Sequence, residues 1–267
     1  MMRWMPISEP APTSDRPLSG GGEVQAMAWP EFLRWFSIHW EPGQHVSVIC
    51  PTGAGKTTMV SPLLFLRRYV LVIDAKGGDE TLEALGFRRL ARWPGEKQMT
   101  KMVEQNNADG KPSRYIVGMK TDRTEDVALL RQTIAACLRD VFNMGGWTVY
   151  LDELQVTTDR RMMNLSGAVA RLLVAARSKG ITVISAFQAP SWVPTEAVRQ
   201  PTWIVTGPTR DTDTVNRMAE VMGRPKAEMR GFVKALPDFT WGVVGRNARS
   251  PFIITRPPYI APVTTRR

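Results

Sequence analysis

The sequence predicts an α/β fold with a mainly parallel central sheet flanked by helices. Three observations carry that prediction. The apolar run Val46-Ser47-Val48-Ile49 stops at Cys50-Pro51 and passes through Gly53 and Gly55 into Lys56-Thr57-Thr58. A second run, Tyr69–Ile73, ends at Asp74, and a third, Trp147–Leu151, ends at Asp152-Glu153. Short, unbroken apolar runs separated by segments of helical period mark buried parallel strands joined by helices.

Composition bounds the rest. A chain of 267 residues with 43% hydrophobic content is long and apolar enough to bury one full core. That core is expected over residues 24–256. It lies between a Pro-, Ser- and Gly-rich arm, residues 1–23, expected to be flexible, and a basic, proline-containing tail, residues 257–267. Two cysteines supply no disulfide framework and suit a reducing, cytoplasmic setting. Two histidines, His39 and His45, are too few for a Cys/His metal cluster. No apolar stretch is long enough to cross a membrane, and none follows Arg3 as a secretory leader requires. The net charge of +10 is unevenly spread: residues 1–158 hold 18 Lys/Arg against 18 Asp/Glu, and residues 159–267 hold 17 against 7. A neutral half joined to a basic half suggests a polyanionic partner, the alternative being a generally basic soluble surface.

In chain order, Trp29, Phe32, Leu33, Phe36 and Trp40 form one stripe of a helix, with Pro30 in its first turn. The stripe suits core packing; alternatively Trp40 or His45 shapes a nucleotide-base pocket or a subunit contact. Residues 46–58 then form a P-loop between strand and helix. Its glycines let the backbone of Thr52, Gly53, Ala54, Gly55, Lys56, Thr57 and Thr58 curl around phosphate oxygens, and the helix N-terminus adds partial positive charge. Lys56 would reach the β- and γ-phosphates of ATP, and the Thr57 hydroxyl would ligate Mg²⁺. Cys50 stands where this motif usually begins with glycine.

Asp74 and Lys76 follow the second strand, at the end where open α/β sheets place their sites. They would line the P-loop rim or form a solvated turn with a local ion pair. Residues 81–90 read as a short helix, 94–113 as a polar stretch, Arg114–Met119 as a strand, and 122–143 as a long helix ended by Gly145-Gly146. The strand ending Asp152-Glu153 has the Walker B arrangement. Asp152 would hold the Mg²⁺ shell, and Glu153 would orient and polarise the attacking water. A polar, basic segment follows, Thr157-Thr158-Asp159-Arg160-Arg161, then a helix over 164–178 closed by Gly180. The strand Ile181–Phe187 ends at Gln188, whose amide can contact the γ-phosphate and its water or simply cap the next loop.

Ala176-Arg177-Ser178-Lys179-Gly180-Ile181 through Gln188-Ala189-Pro190 resembles the signature of the FtsK–HerA class of DNA-pumping ATPases. The Asp74, Lys76, Gly77 turn and the Asp-Glu of the Walker B strand resemble that class too. Cys50, and Ala75 where relatives usually carry proline, depart from it. Over residues 44–210 the resemblance implies a RecA-like core of the additional-strand, catalytic-glutamate type. It also implies a hexameric ring and ATP-driven movement of double-stranded DNA through the pore. It makes Gln188 the sensor residue and Arg177 the candidate arginine finger for a neighbouring subunit, with Arg210 as runner-up. Loops after the central strands of such a ring face the pore, so Thr157, Thr158, Arg160 and Arg161 are candidate contacts to DNA phosphates.

The remaining pattern is a strand at Trp203–Thr206, helices at 211–222 and 225–236, and two strands, 239–244 and 251–255, joined by a hairpin turn. The expected function is therefore an ATP-hydrolysing motor that translocates or packages double-stranded DNA. A capsid portal or a membrane transfer apparatus would be its partner. The alternatives are a coupling ATPase for conjugation or secretion, and a slow nucleotide-dependent switch.

Overall fold

The computed structural model describes residues 23–77, 80–118, 127–247 and 250–258. The arm up to residue 22, Gly78, the first turn of the helix expected from 122, Arg249 and the tail from 259 lie outside the described residues. The strands are β1 (Val24–Ala26), β2 (Val46–Ile49), β3 (Tyr69–Asp74), β4 (Arg88–Leu90), β5 (Ser113–Gly118), β6 (Thr148–Asp152), β7 (Thr182–Phe187), β8 (Trp203–Thr206), β9 (Trp241–Gly245) and β10 (Phe252–Thr255). They form one ten-stranded sheet in the order β1-β10-β9-β8-β2-β7-β6-β3-β5-β4. From β8 to β4 every neighbouring pair is parallel, and β9 runs antiparallel to both β8 and β10. This is the mainly parallel α/β sheet that the apolar runs predict.

The helices are α1 (Trp29–His39), α2 (Lys56–Phe65), α3 (Glu80–Ala84), α4 (Glu96–Ala108), α5 (Val127–Met144), α6 (Leu154–Thr158), α7 (Ser166–Ala175), α8 (Thr195–Arg199), α9 (Thr212–Met222) and α10 (Lys226–Lys234). Alternation along each strand feeds two cores. Val70 and Val72 of β3 join the aromatic stripe of α1 and the apolar side of α2 on one face. Leu71 and Ile73 join α5, α7, α9 and α10 on the other. Both faces of the sheet are thus covered, which is why its strands read as unbroken apolar runs. Each large side chain so buried contributes about 1.5–3 kcal/mol.

Two expectations are corrected. Residues 81–90 are not one helix: α3 stops before Gly86, whose φ of 92° breaks the helical path, and the chain continues as edge strand β4 beside β5. The polar stretch 94–113 contains helix α4, which is anchored by buried Met99 with Met102 and Val103 against the core. Its other faces are solvated, so it lacks a broad apolar stripe. Strand β1, three residues paired in parallel with β10, carries no sequence signal of its own.

Candidate active site

The site is built at the C-terminal ends of β2, β7, β6 and β3. After β2 the chain turns through Gly53 (φ 77°) and Gly55 (φ 85°) into α2. These left-handed angles suit glycine and point successive amides into one concavity. A β-carbon at Gly53 would meet no atom within 4 Å, so its left-handed angle rather than crowding is what favours glycine there. Cys50 is buried, and burial, which outweighs the opposing charge of Lys56, pushes its thiol up to about 12. It therefore stays protonated. Its β-carbon is accommodated because Gly207, after β8, has none: one added there would stand 3.1 Å from that of Cys50.

Sheet order brings together what the sequence separates. Strand β7 lies between β2 and β6, with Ile49 level with Phe187 and Leu151 level with Ser185. Half-buried Gln188 thus follows the strand between the P-loop and the Asp152-Glu153 pair. Strand β3 lies on the far side of β6 with Asp74 level with Asp152, and Lys76 follows by two residues.

Glu153 takes left-handed angles, φ 52° and ψ 62°, uncommon for a residue with a side chain. Its Oε1 accepts from Lys56 Nζ at 3.2 Å and lies 3.1 Å from Lys76 Nζ. Burial works to raise the Glu153 carboxyl. The hydrogen bond from Lys76 and the charge and hydrogen bond of Lys56 outweigh it and hold the group below its ordinary value. It is therefore a carboxylate near neutrality. Asp152 Oδ1 accepts from the Tyr150 hydroxyl at 2.8 Å. Asp74 is buried, accepting from Gly77 N at 2.9 Å and from Arg89 Nη2 at 3.1 Å. Gly118 ends β5 there because a β-carbon would collide with the Asp74 carbonyl oxygen.

Other expected residues lie elsewhere. Arg177 is exposed at the opposite, N-terminal edge of the sheet, where its Nη2 donates to Thr202 Oγ1 at 3.4 Å. It is a strand's length, on the order of 13 Å, from its own P-loop. Arg210 lies on the P-loop side, in a groove of about 890 Å³ that also includes Pro51, Pro208, Arg230 and Lys234. Arg160 and Arg161 are exposed just past α6. Thr157 and Thr158 are not: they are 0% and 6% exposed, and the Thr158 hydroxyl donates to Leu154 O at 2.9 Å. The expectation that these two hydroxyls meet DNA phosphates is corrected, since α6 turns them into the core. Trp40 and His45 are buried at the N-terminal end of β2, as packing requires. His45 Nδ1 accepts from Val183 N and Nε2 donates to Leu173 O, which specifies a neutral ring.

The residues present fit Mg²⁺. A hydroxyl at Thr57 and a carboxylate at Asp152 are the oxygen donors that Mg²⁺ takes when substrate phosphates and waters complete its shell. Among the described residues, no group of three or more His, Cys, Asp or Glu could hold a metal ion. No described helix is long and apolar enough to cross a membrane.

No protein-family model and no curated protein matches the sequence. Solved structures do match. The genome packaging NTPase B204 from Sulfolobus turreted icosahedral virus 2, in complex with sulfate, is similar with a TM-score of 0.56 at 16% identity, over 82% of this chain and 99% of that one. VirB4 of Thermoanaerobacter pseudethanolicus is similar with a TM-score of 0.54 at 12% identity, over 82% of this chain and 90% of that one. The cytoplasmic domain of the Thermomonospora curvata type VII secretion ATPase EccC is similar with a TM-score of 0.52 at 16% identity, over 85% of this chain and 26% of that one. The shared feature is the fold, a RecA-like P-loop NTPase core.

Proposed function

We propose that this chain, built on the RecA-like P-loop NTPase fold, is an FtsK–HerA-class ATPase that moves double-stranded DNA as a ring, with six subunits. The observation that carries the proposal is the Glu153 carboxylate set against the P-loop lysine at 3.2 Å, with the strand bearing Gln188 between their two strands. An ionised carboxylate beside a phosphate cradle suits the activation of water for attack on a γ-phosphate.

In this reading the amides of residues 52–58 and the α2 N-terminus bind the phosphate chain. Lys56 moves from Glu153 to the β- and γ-oxygens. Glu153 accepts a hydrogen bond from the attacking water and takes its proton as the γ-phosphoryl transfers, leaving ADP and phosphate. Gln188 holds the water or a γ-oxygen. Thr57 and Asp152 would hold Mg²⁺, which would supply neutralisation of the negative charge on the substrate. The groove lined by Pro51 and Arg210 reaches the start of the P-loop and would take the nucleoside end.

Exposed Arg177 lies too far from its own P-loop to act there and would serve the ATP of a neighbouring subunit. Arg210, on the P-loop side, is the runner-up. Exposed Arg160 and Arg161 would touch DNA phosphates without reading bases. A genome-packaging role, with a capsid portal as partner, is the first reading, and the fold likeness to B204 supports it. A coupling role at a membrane transfer apparatus is the second reading, and the fold likeness to VirB4 supports it.

The test is ATP hydrolysis with and without double-stranded DNA, in the parent and in Glu153→Gln. A motor is stimulated by DNA, and Glu153→Gln binds ATP but turns over at least 100-fold more slowly. An unstimulated parent would point to a slow switch, and a Glu153→Gln protein at the parental rate would remove Glu153 from the chemistry.

A further inference from the structure

Phe239 combines two features that rarely go together. Its backbone is left-handed, with a φ of 58°, and the residue is 65% exposed. We propose that the Phe239 ring stacks on the base of a bound nucleoside triphosphate, with the groove beside the P-loop as the seat of that base. The inference rests on the reading that the triphosphate of this ligand lies on the P-loop.

The conformation is unfavourable for this side chain. Thr240 N donates to Pro237 O at 3.2 Å, closing a four-residue turn between α10 and β9 in which Phe239 is third. A positive φ at that place ordinarily calls for glycine or asparagine, and in a bulky residue it is an outlier. The next two residues, Thr240 and Trp241, are both 1% exposed and pack into the core. Phe239 does not follow them, so burial within the chain offsets little of its backbone strain. Strain of this kind collects at ligand-contact sites.

Topology puts the turn beside the phosphate cradle. Strand β9 runs antiparallel to β8 with Gly242 level with Thr206, and Thr206 is level with Ile49 of β2. The start of β9 therefore lies at the sheet end where β2 passes into the P-loop. Asp238, in the same turn as Phe239, lines one groove with Pro51, the second residue after β2. The volume of that groove, about 890 Å³, falls within the range of small-molecule sites, about 300–1,000 Å³. Val215, Val233 and Leu236 give it an apolar lining, which suits the flat face of a base. An exposed ring at the groove's mouth changes rotamer freely and can close over a base resting on that lining. Aromatic stacking on a base is indifferent to which base is present, so the contact adds affinity for nucleoside triphosphates as a class.

The test is isothermal titration of a non-hydrolysable ATP analogue and of inorganic tripolyphosphate, both with Mg²⁺, into the parent, Phe239→Ala, Phe239→Gly and Lys56→Ala. Both Phe239 variants should bind the ATP analogue about tenfold more weakly and tripolyphosphate within about twofold of the parent, since only the contact to the base is lost. Phe239→Gly should also melt at or above the parent, because glycine takes a positive φ without strain. A loss of affinity without a loss of stability is the signature of a ligand contact. Parental affinity for the ATP analogue in both Phe239 variants, with both ligands weakened in Lys56→Ala, would overturn the inference and leave the P-loop reading standing. Equal weakening of both ligands in the Phe239 variants, or a Phe239→Gly protein that melts well below the parent, would make Phe239 a residue of the fold and overturn it too. If Lys56→Ala binds both ligands as the parent does, the P-loop reading fails and the inference with it.

Discussion

Gly207 and Cys50 face each other across the base of the P-loop, close enough that a β-carbon at position 207 would stand 3.1 Å from that of Cys50. The glycine that commonly opens this loop is therefore absent from position 50, and the room its missing side chain would leave is supplied by a glycine at the end of β8. Gly207→Ala should push the loop and weaken ATP binding about tenfold, since overpacking a tight contact costs about 1–3 kcal/mol. Cys50→Gly in that background should restore binding, whereas Cys50→Ala, which keeps the β-carbon, should not. Isothermal titration with a non-hydrolysable ATP analogue decides it, and parental affinity in Gly207→Ala would sink the idea.

The position of Arg177 at the sheet edge opposite the P-loop makes a prediction about assembly. An arginine donated to a neighbour's phosphates contributes about 10³–10⁵ in rate. Arg177→Ala should therefore be nearly inactive as a pure protein. Mixed with Glu153→Gln subunits it should regain part of its ATPase activity, because some boundaries then carry an intact Glu153 and an intact arginine. Full activity of Arg177→Ala alone would pass the role to Arg210 or to no finger.

Burial separates the two halves of the segment after β6. Arg160→Ala with Arg161→Ala should lower DNA affinity and reduce the slope of log affinity against log salt by roughly one to two units, while leaving DNA-free ATPase activity intact. Thr157→Val should leave DNA binding unchanged. The Thr157 hydroxyl is buried without a hydrogen-bond partner among the described residues, so an apolar isostere is expected to keep or raise stability. A salt titration of binding and a thermal melt of each variant test both halves. Unchanged affinity and slope in the double arginine variant would move the contact to Lys226, Arg230 and Lys234.

His45 couples stability to pH. Burial first, and the charge of Arg177 as a smaller cause in the same direction, lower its pKa from 6.5 to about 4 against the opposing hydrogen bond to Leu173. The folded protein keeps the ring neutral where the unfolded chain takes up a proton. The stability tied to the neutral ring is thus fully present above about pH 6.5 and is lost as pH falls toward about 4, by about 3 kcal/mol at most. His45→Gln should be less stable at neutral pH and should lack this slope. Denaturant unfolding between pH 5 and 6.5, above most carboxylate titrations, isolates the effect. An equal slope in both proteins would refute it.

The sequence by itself determined the parts whose physics is local. Strands β2, β3 and β6 were legible as apolar runs because both faces of the sheet are covered. The P-loop was legible because Gly53, Gly55, Lys56 and Thr57 are consecutive turn and helix-start chemistry. The same locality explains what was missed: β1 and β4 have three residues each, too few for a pattern, and α4 buries only Met99 among its own residues.

Tertiary structure alone decided which of these parts meet. Parallel pairing over long separations inserts β7 between β2 and β6 and sets β3 beyond β6, and that order brings Lys76 to Glu153 and Gln188 between Lys56 and Asp152. It decided that Asp74 would pair with Arg89, that Gly207 would make room for Cys50, and that Arg177 would stand at the far edge. It also turned Thr157 and Thr158 inward while leaving Arg160 and Arg161 in solvent. Periodicity states which side of an element is apolar, but the partner that covers it is chosen by packing across the whole sheet, and that choice is not written in any one stretch of the chain.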